Sequence, residues 1–396
     1  MSSDYNYRLL QKDIKEGKQI VLFLGAGINY CNDRKILWAD VMKHLFKSVI
    51  LGASSENDLT EKEMNLFLES FGILDNVDIK NEPHQINEEL LQYIYNEFPF
   101  TLQTYIVKKY LGQRYIPIIR DFIYGQIGDD YIKKKLEQYH KHTYEYPENF
   151  IYDDDIYGLY EIARFILLCP NVKAIVTYNY DNFLTNTISA IQRTPNEYFN
   201  DNELVIYKRR LLQYSELTTN AENNEKSGND VGRILVEDIY GNNYSKSLRN
   251  GIIPIYHVHG YIPSPHEIQR IEDNSIVLSM DEYYDNLRNV YCWQTDSQMH
   301  FLSHYTCVFI GSSMSDLTIQ RMLYNVQQHG NNDRIYCFQA KSSSDEKYSP
   351  NEKRVHNILQ NIKRNFFQSY GVSMIYNSDG YRQMYKLVDD LIYEKQ

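Results

Sequence analysis

The chain has 396 residues, 43% of them hydrophobic and 23% charged, with a formal net charge of −11. That length can bury a large core, and the acidic balance argues against tight, sequence-independent binding to a phosphate backbone, so no direct nucleic-acid binding is expected. No run approaches the roughly 18–20 apolar residues needed to cross a bilayer, and the charged first residues lack a signal-peptide core, so a cytoplasmic protein with no membrane contact is expected.

The five cysteines, Cys31, Cys169, Cys292, Cys307 and Cys337, are scattered and form no CxxC pair. Neither a disulfide framework nor a zinc site is expected from them. The 37 tyrosines, with many Asn, Ile and Lys, read as a compositional bias. Lys133-Lys134-Lys135 and Lys208-Arg209-Arg210 read as solvated helix faces.

In chain order, Tyr5–Glu16 is spaced as an amphipathic helix and Ile20–Leu24 as a strand buried on both faces. The strand runs into Gly25-Ala26-Gly27, a turn whose N–H groups can face a pyrophosphate, or a plain tight turn. Tyr30 stands where GxGxxG would have its third glycine. A helix is predicted over Ile36–Ile50. Residues 51–150 read as a helical insertion, with helices at Glu63–Leu74, Ile86–Tyr95, Phe100–Tyr110 and Tyr115–Tyr124.

The alternation resumes with a helix over Ile156–Leu168, a strand at Lys173–Thr177 and the polar run Tyr178–Asp181. Residues 195–250 read as a polar insertion or mobile loop, with Glu222–Asp230 its best candidate. Further strands are predicted at Ile252–Val258, Ile276–Ser279 (passing into a helix at Met280–Tyr284), Thr306–Ile310, Arg334–Gln339 and Val372–Tyr376. A helix follows Gly311-Ser312-Ser313 and runs through Val326, and a last one spans Tyr381–Tyr393. The pattern is α/β: a doubly wound, Rossmann-like parallel sheet with a large helical insertion, in one domain over 1–396. Its core is expected at about 15–50, 151–190 and 251–396.

Polar residues follow the strands at 25–29, 178–181, 257–260 and 311–316, where ligands bind in open parallel sheets. Asn179 can donate to and accept from a hydroxyl or a water, and Asp181 can accept; both are also good helix caps. His257 and His259 share a strand face. A metal pair lacks further ligands, and a general base is the better reading, with His259 placed to project and His257 suited to a structural role. Gly311, Ser312 and Ser313 can line a phosphate or ribose, and Asp316 starts the next helix.

Taken in order, GAGIN (Gly25–Asn29), TYNYD (Thr177–Asp181), VHG (Val258–Gly260) and GSSMSD (Gly311–Asp316) resemble the sirtuin family, specifically its bacterial antiphage-defence branch. VLSMDEYY (Val277–Tyr284) and Trp38 within LWADVMKHL are similar to that branch. The resemblance implies NAD⁺ as substrate. Gly25, Ala26 and Gly27 would cradle its pyrophosphate, Asn179 and Asp181 would hold the nicotinamide ribose or the attacking water, and His259 would be the base. Gly311, Ser312 and Asp316 would meet the adenosine side, with Asn29, Thr177 and Ser313 completing the substrate-facing set.

Sirtuin deacylases carry a zinc module of two CxxC pairs, which this chain lacks, so no zinc is expected. The acidic-aromatic-basic triplet after the glycine turn is also missing, the stretch here being Tyr30-Cys31-Asn32-Asp33-Arg34, and Asn29 replaces a serine. The implied activity is therefore NAD⁺ hydrolysis that depletes NAD⁺ in abortive infection. A protein deacylase or ADP-ribosyl transferase, and a non-catalytic NAD⁺ or ADP-ribose sensor, are the alternatives. The resemblance also implies control by assembly, as a homo-oligomer and with a HerA-like ATPase or, second, a short Argonaute module.

Overall fold

In the computed structural model the apolar run Ile20–Leu24 is strand β1, and its five residues are fully buried. The structure describes residues 3–29, 40–45, 48, 100–143, 156–221, 233–241, 252–265, 276–278, 282, 292–329, 334–340, 350–377 and 380–392. Successive β1 side chains alternate between two cores. Ile20, Leu22 and Leu24 join one cluster, and Val21 and Phe23 join the other across the sheet.

Six further strands complete the sheet around β1: β2 (Val172–Thr177), β3 (Leu235–Ile239), β4 (Ile252–His257), β5 (Thr306–Ile310), β6 (Ile335–Ala340) and β7 (Val372–Asn377). Their order is β3-β4-β2-β1-β5-β6-β7, and every adjacent pair is parallel. The chain fills one side of β1 and then returns to fill the other, so the topology reverses beside β1. Register sets Leu24 level with Thr177 and Ile310, and Thr177 level with His257. The carboxyl ends of four neighbouring strands, β4, β2, β1 and β5, therefore open on one edge.

Helices α1 (Ser3–Lys15), α2 (Phe100–Leu111), α3 (Tyr115–Gln126), α4 (Asp129–Thr143), α5 (Tyr157–Leu168), α6 (Phe183–Arg193) and α7 (Asp201–Ala221) lie on the first face. The opposite face carries α8 (Trp293–His304), α9 (Leu317–His329) and α10 (Pro350–Ser369), and α11 (Gly380–Asp389) returns to the first. The described part of the 51–150 insertion is helical, as are residues 40–45 and 48 of the Ile36–Ile50 stretch. The helices expected at Glu63–Leu74 and Ile86–Tyr95, the Glu222–Asp230 stretch, Trp38 and Tyr30–Arg34 lie outside the described residues.

Three expectations are corrected. Ile276, Val277 and Leu278 are buried but form no strand; the segment is held by Val277, whose N–H donates to the His259 carbonyl and whose carbonyl accepts from the Tyr180 hydroxyl. Among the described residues of 195–250, the 21-residue helix α7 and the edge strand β3 stand where a polar insertion or mobile loop was expected. Asn200 and Glu203 start α7 as a reciprocal capping box, Glu203 N–H donating to Asn200 Oδ1 and Asn200 N–H to Glu203 Oε2. Finally, the Lys208–Arg210 run is not wholly a solvated face. Lys208 and Arg209 are exposed, but Arg210 is buried and donates to the Ile166 carbonyl on α5.

Candidate functional site

Strand β1 ends in a tight turn, with residues Ala26–Asn29 forming a single 3-10 turn. Gly25 N–H donates to the Ile310 carbonyl (3.0 Å) and Gly27 N–H to that of Gly311 (2.8 Å), both at the end of β5. A Cβ at Gly25 would lie 2.6 Å from Gly311 O and 2.8 Å from Ser312 Cα, and one at Gly27 would lie 2.7 and 2.8 Å from Gly311 O and Cα. Gly311 itself needs its left-handed φ of +66°. So the glycines let the β1 and β5 turns pack backbone to backbone. Their N–H groups at 25 and 27 are spent on β5, which corrects the expectation that these two donors face a pyrophosphate.

Gly27→Ala should cost about 1–3 kcal/mol or more, because rigid backbone has to give way. Thermal denaturation checks this, and an unchanged midpoint would refute the close packing.

The segment after β2 is fixed by its own short side chains and by its neighbours. Asn179 N–H donates to Thr177 Oγ1 (3.1 Å), and Asn179 Nδ2 donates to the Gly25 carbonyl (3.3 Å). Asp181 accepts from Phe183 N–H at the start of α6 (3.1 Å) and from Asn29 Nδ2 (2.7 Å). Asp181 thus holds both the first N–H of α6 and the Asn29 amide. Thr177, Asn29, Asn179 and Asp181 are all buried. With Ala26, Val41, Ile123, Tyr178 and Tyr180, the last three of these line a cavity of about 30 Å³, room for a water molecule or two.

His257 faces two acceptors, the Asn179 carbonyl at Nδ1 (3.0 Å) and Asp238 Oδ1 on β3 at Nε2 (2.8 Å). Asp238 also accepts from Thr185 on α6 (2.7 Å). The buried ring therefore clamps the Asn179 backbone to the sheet edge, and Asp238 is a supporting residue for which the sequence offered no signal.

His259 stands on the other side of Tyr178, ring centroids 5.1 Å apart, with Nε2 3.7 Å from Asp316 Oδ2. The other Asp316 oxygen caps α9 by accepting from Thr318 N–H (2.7 Å). Asp316, expected on the adenosine side, lies against the histidine. Burial lowers the His259 pKa from 6.5, and the Asp316 carboxylate pushes the other way. The ring is a neutral acceptor near pH 7.

Ser312 Oγ accepts from Met314 N–H, and the exposed Ser313 shares a hydrogen bond with Ser315. Between them the buried Met314 holds a φ of +55°, a costly conformation for a residue with a side chain. Neither His259 nor Gly311–Ser313 lines the 30 Å³ cavity among the described residues. The structure brings the clusters to one edge in two groups, Asn29/Asn179/Asp181 and His259/Asp316, with Tyr178 between them.

A larger cavity of about 480 Å³ opens at the amino end of the sheet, lined by Lys18, His300, His304 and Arg334 among others. None of the strand-end residues reaches it, and the carboxyl edge is where open parallel sheets bind ligands. The site is placed at that edge.

Asp181 is the most perturbed carboxyl here. Burial pushes its pKa from 3.8 up to about 6, against the opposing hydrogen bond of Phe183, the charge of His257 and the Asn29 amide. The folded state therefore holds this proton more tightly than the unfolded chain, and stability falls as pH rises from about 4 to about 6. The difference is about 3 kcal/mol. Asp181→Asn should remove that slope in denaturant titrations at pH 4 and pH 7; parallel profiles for the two proteins would contradict the assignment.

A family model described as a SIR2-like domain matches residues 173–375, just over half of the chain. The chain belongs to the SIR2-like family. The match spans Thr177–Asp181, His259 and Gly311–Asp316, and it begins after the glycine turn. A comparison with curated proteins gives no match. SIR2-like domains bind NAD⁺, which agrees with a parallel sheet whose strand-end residues gather beside the topological reversal. Among the described residues no three His, Cys, Asp or Glu side chains are grouped to hold a metal ion. No helix among them is long and apolar enough to cross a membrane.

Proposed function

We propose that this SIR2-like protein is an NAD⁺ glycohydrolase that depletes NAD⁺ in antiphage defence. The observation that carries the reading is the buried trio Asn29, Asn179 and Asp181 around a water-sized cavity, with the His259–Asp316 pair one ring away. In the reaction, water adds at the ribosyl C1′ as its bond to nicotinamide breaks, giving nicotinamide, ADP-ribose and one proton.

Asn179, anchored through Nδ2 to the Gly25 carbonyl, leaves its amide oxygen to orient a water or a ribose hydroxyl. Asp181, a carboxylate above about pH 6, sets negative charge where an oxocarbenium-like centre develops positive charge. His259 accepts the proton, and the carboxylate of Asp316 favours the imidazolium that results.

A cavity of about 30 Å³ is far below the roughly 300–1,000 Å³ of ordinary ligand sites. This supports a resting form that must open before the dinucleotide enters. We assign that opening to assembly, with further copies of the chain and with a HerA-like ATPase or a short Argonaute module.

Purified protein, alone and mixed with each candidate partner, is to be incubated with NAD⁺ and the products separated by chromatography. Equal yields of nicotinamide and ADP-ribose are expected, rising on assembly. NAD⁺ bound but unchanged would favour a sensor, and transfer of ADP-ribose to protein would favour a transferase.

A further inference from the structure

Helix α10 is inside out. Its sheet-facing side carries the half-buried Gln360, Lys363 and Arg364, with Phe367 its buried apolar contact. Lys363 donates to Gln339 of β6, and Arg364 lies 4.7 Å from the centre of the Tyr376 ring of β7. The apolar stripe points away from the protein: Val355 is 57% exposed, Ile358 50%, Leu359 58%, Ile362 59% and Phe366 41%. A surface helix of a monomer presents the reverse arrangement.

Two features decide what covers the stripe. Val355, Leu359, Ile362 and Phe366 are spaced four, three and four apart, the seam that packs against another helix bearing the same seam. The other exposed residues among those described on α10 are Asn357, Asn361, Asn365, Ser369 and one charge, Arg354. With a single charge among its described exposed side chains, in a chain of net charge −11, this face can meet its own copy with little like-charge repulsion, and it offers little to a strongly charged partner.

The stripe presents on the order of 500 Å² of apolar side chain. With its asparagine flank and Tyr324, which edges onto Tyr370 beside Phe366, it approaches the roughly 800 Å² per partner of a standard interface.

We infer that α10 is a homodimer interface, pairing with α10 of a second copy about a two-fold axis perpendicular to the helix. That axis sets Leu359 of one copy against Ile362 of the other. The inference is independent of NAD⁺ chemistry.

The test is sedimentation velocity at tens of micromolar, with circular dichroism confirming fold. Wild type should sediment as a dimer or a multiple of dimers. Ile362→Glu and Leu359→Lys should each shift the equilibrium at least tenfold toward the half-sized species, at unchanged melting temperature, because both side chains face solvent in the protomer. Mixing the two variants should restore the full-sized species, since the carboxylate introduced in one copy would then face the ammonium introduced in the other.

A wild type that is monomeric at these concentrations would overturn the inference. So would assemblies indifferent to both substitutions, a mixture that stays dissociated, or a monomer that instead floats with lipid vesicles. If one variant fails to fold, the other alone still decides between the α10 interface and any other.

Discussion

Asn179→Ala should lower NAD⁺ turnover by on the order of 10²-fold or more while leaving the protein folded. Asn179 is held at three points, by Thr177 on its N–H, by the Gly25 carbonyl on its amide and by His257 on its own carbonyl. Alanine keeps the first and third of these and loses the amide, so the segment stays in place and only the oriented polar group is lost.

His259→Ala removes the base and should cost about 10²–10⁴-fold. The two losses are not expected to add, because they serve one proton and one water. Asp316→Asn separates positioning from base chemistry. It keeps the cap on α9 but removes the charge that pushes the His259 pKa upward, so the acid limb of the pH–rate profile should move to lower pH. An unmoved limb would mean that His259 does not titrate in the rate-determining step.

The second large effect is on stability. Arg164 on α5 and Glu203 on α7 form a buried ion pair, with side chains 9% and 4% exposed. Arg164 also lies 5.4 Å from the centre of the Tyr160 ring. Glu203→Ala leaves the guanidinium buried without its carboxylate and removes half of the capping box with Asn200, and should cost about 3–5 kcal/mol. In a chain of this size that is a drop of about 4–6 °C in melting temperature.

The exposed Lys12–Glu16 pair, 3.7 Å apart at the end of α1, is the control. Glu16→Ala should change stability by no more than about 0.5 kcal/mol. Replacing both buried partners, as Arg164→Met with Glu203→Leu, should recover much of the loss, since the buried charge is then gone. If Glu203→Ala melts with the wild type, α7 is not docked through this pair.

The same pair explains what the sequence hid. Strands β1, β2 and β4–β7 are legible because burial on both faces makes each a short apolar run. β3 is an edge strand, LVEDI, whose first four residues are only half-buried, so Glu237 and Asp238 disguise it. Helix α7 turns Glu203 and Arg210 toward α5, which erases the apolar stripe that marks a helix, although Asn200-x-x-Glu203 was a readable start signal. Conversely, Ile276–Leu278 is apolar and buried yet not a strand, a distinction that a short apolar run cannot make.

At the site, residue types and strand-end positions were legible, but pairings across the chain were not. Asn29 with Asp181, His257 with Asp238 and His259 with Asp316 are separated by 152, 19 and 57 residues and meet only because β3, β4, β2, β1 and β5 stand side by side. The glycine turn was found at once but for a different reason than it serves, since its N–H groups at Gly25 and Gly27 bind β5.

The decisive measurement for an NAD⁺-cleaving site at this strand edge is the rate of nicotinamide release from NAD⁺ by the assembled wild type and by the Asn179→Ala/His259→Ala double variant, measured side by side. Stoichiometric nicotinamide and ADP-ribose are expected from wild type, and a rate lower by at least about 10²-fold from the variant. Equal rates from the two proteins would contradict such a site.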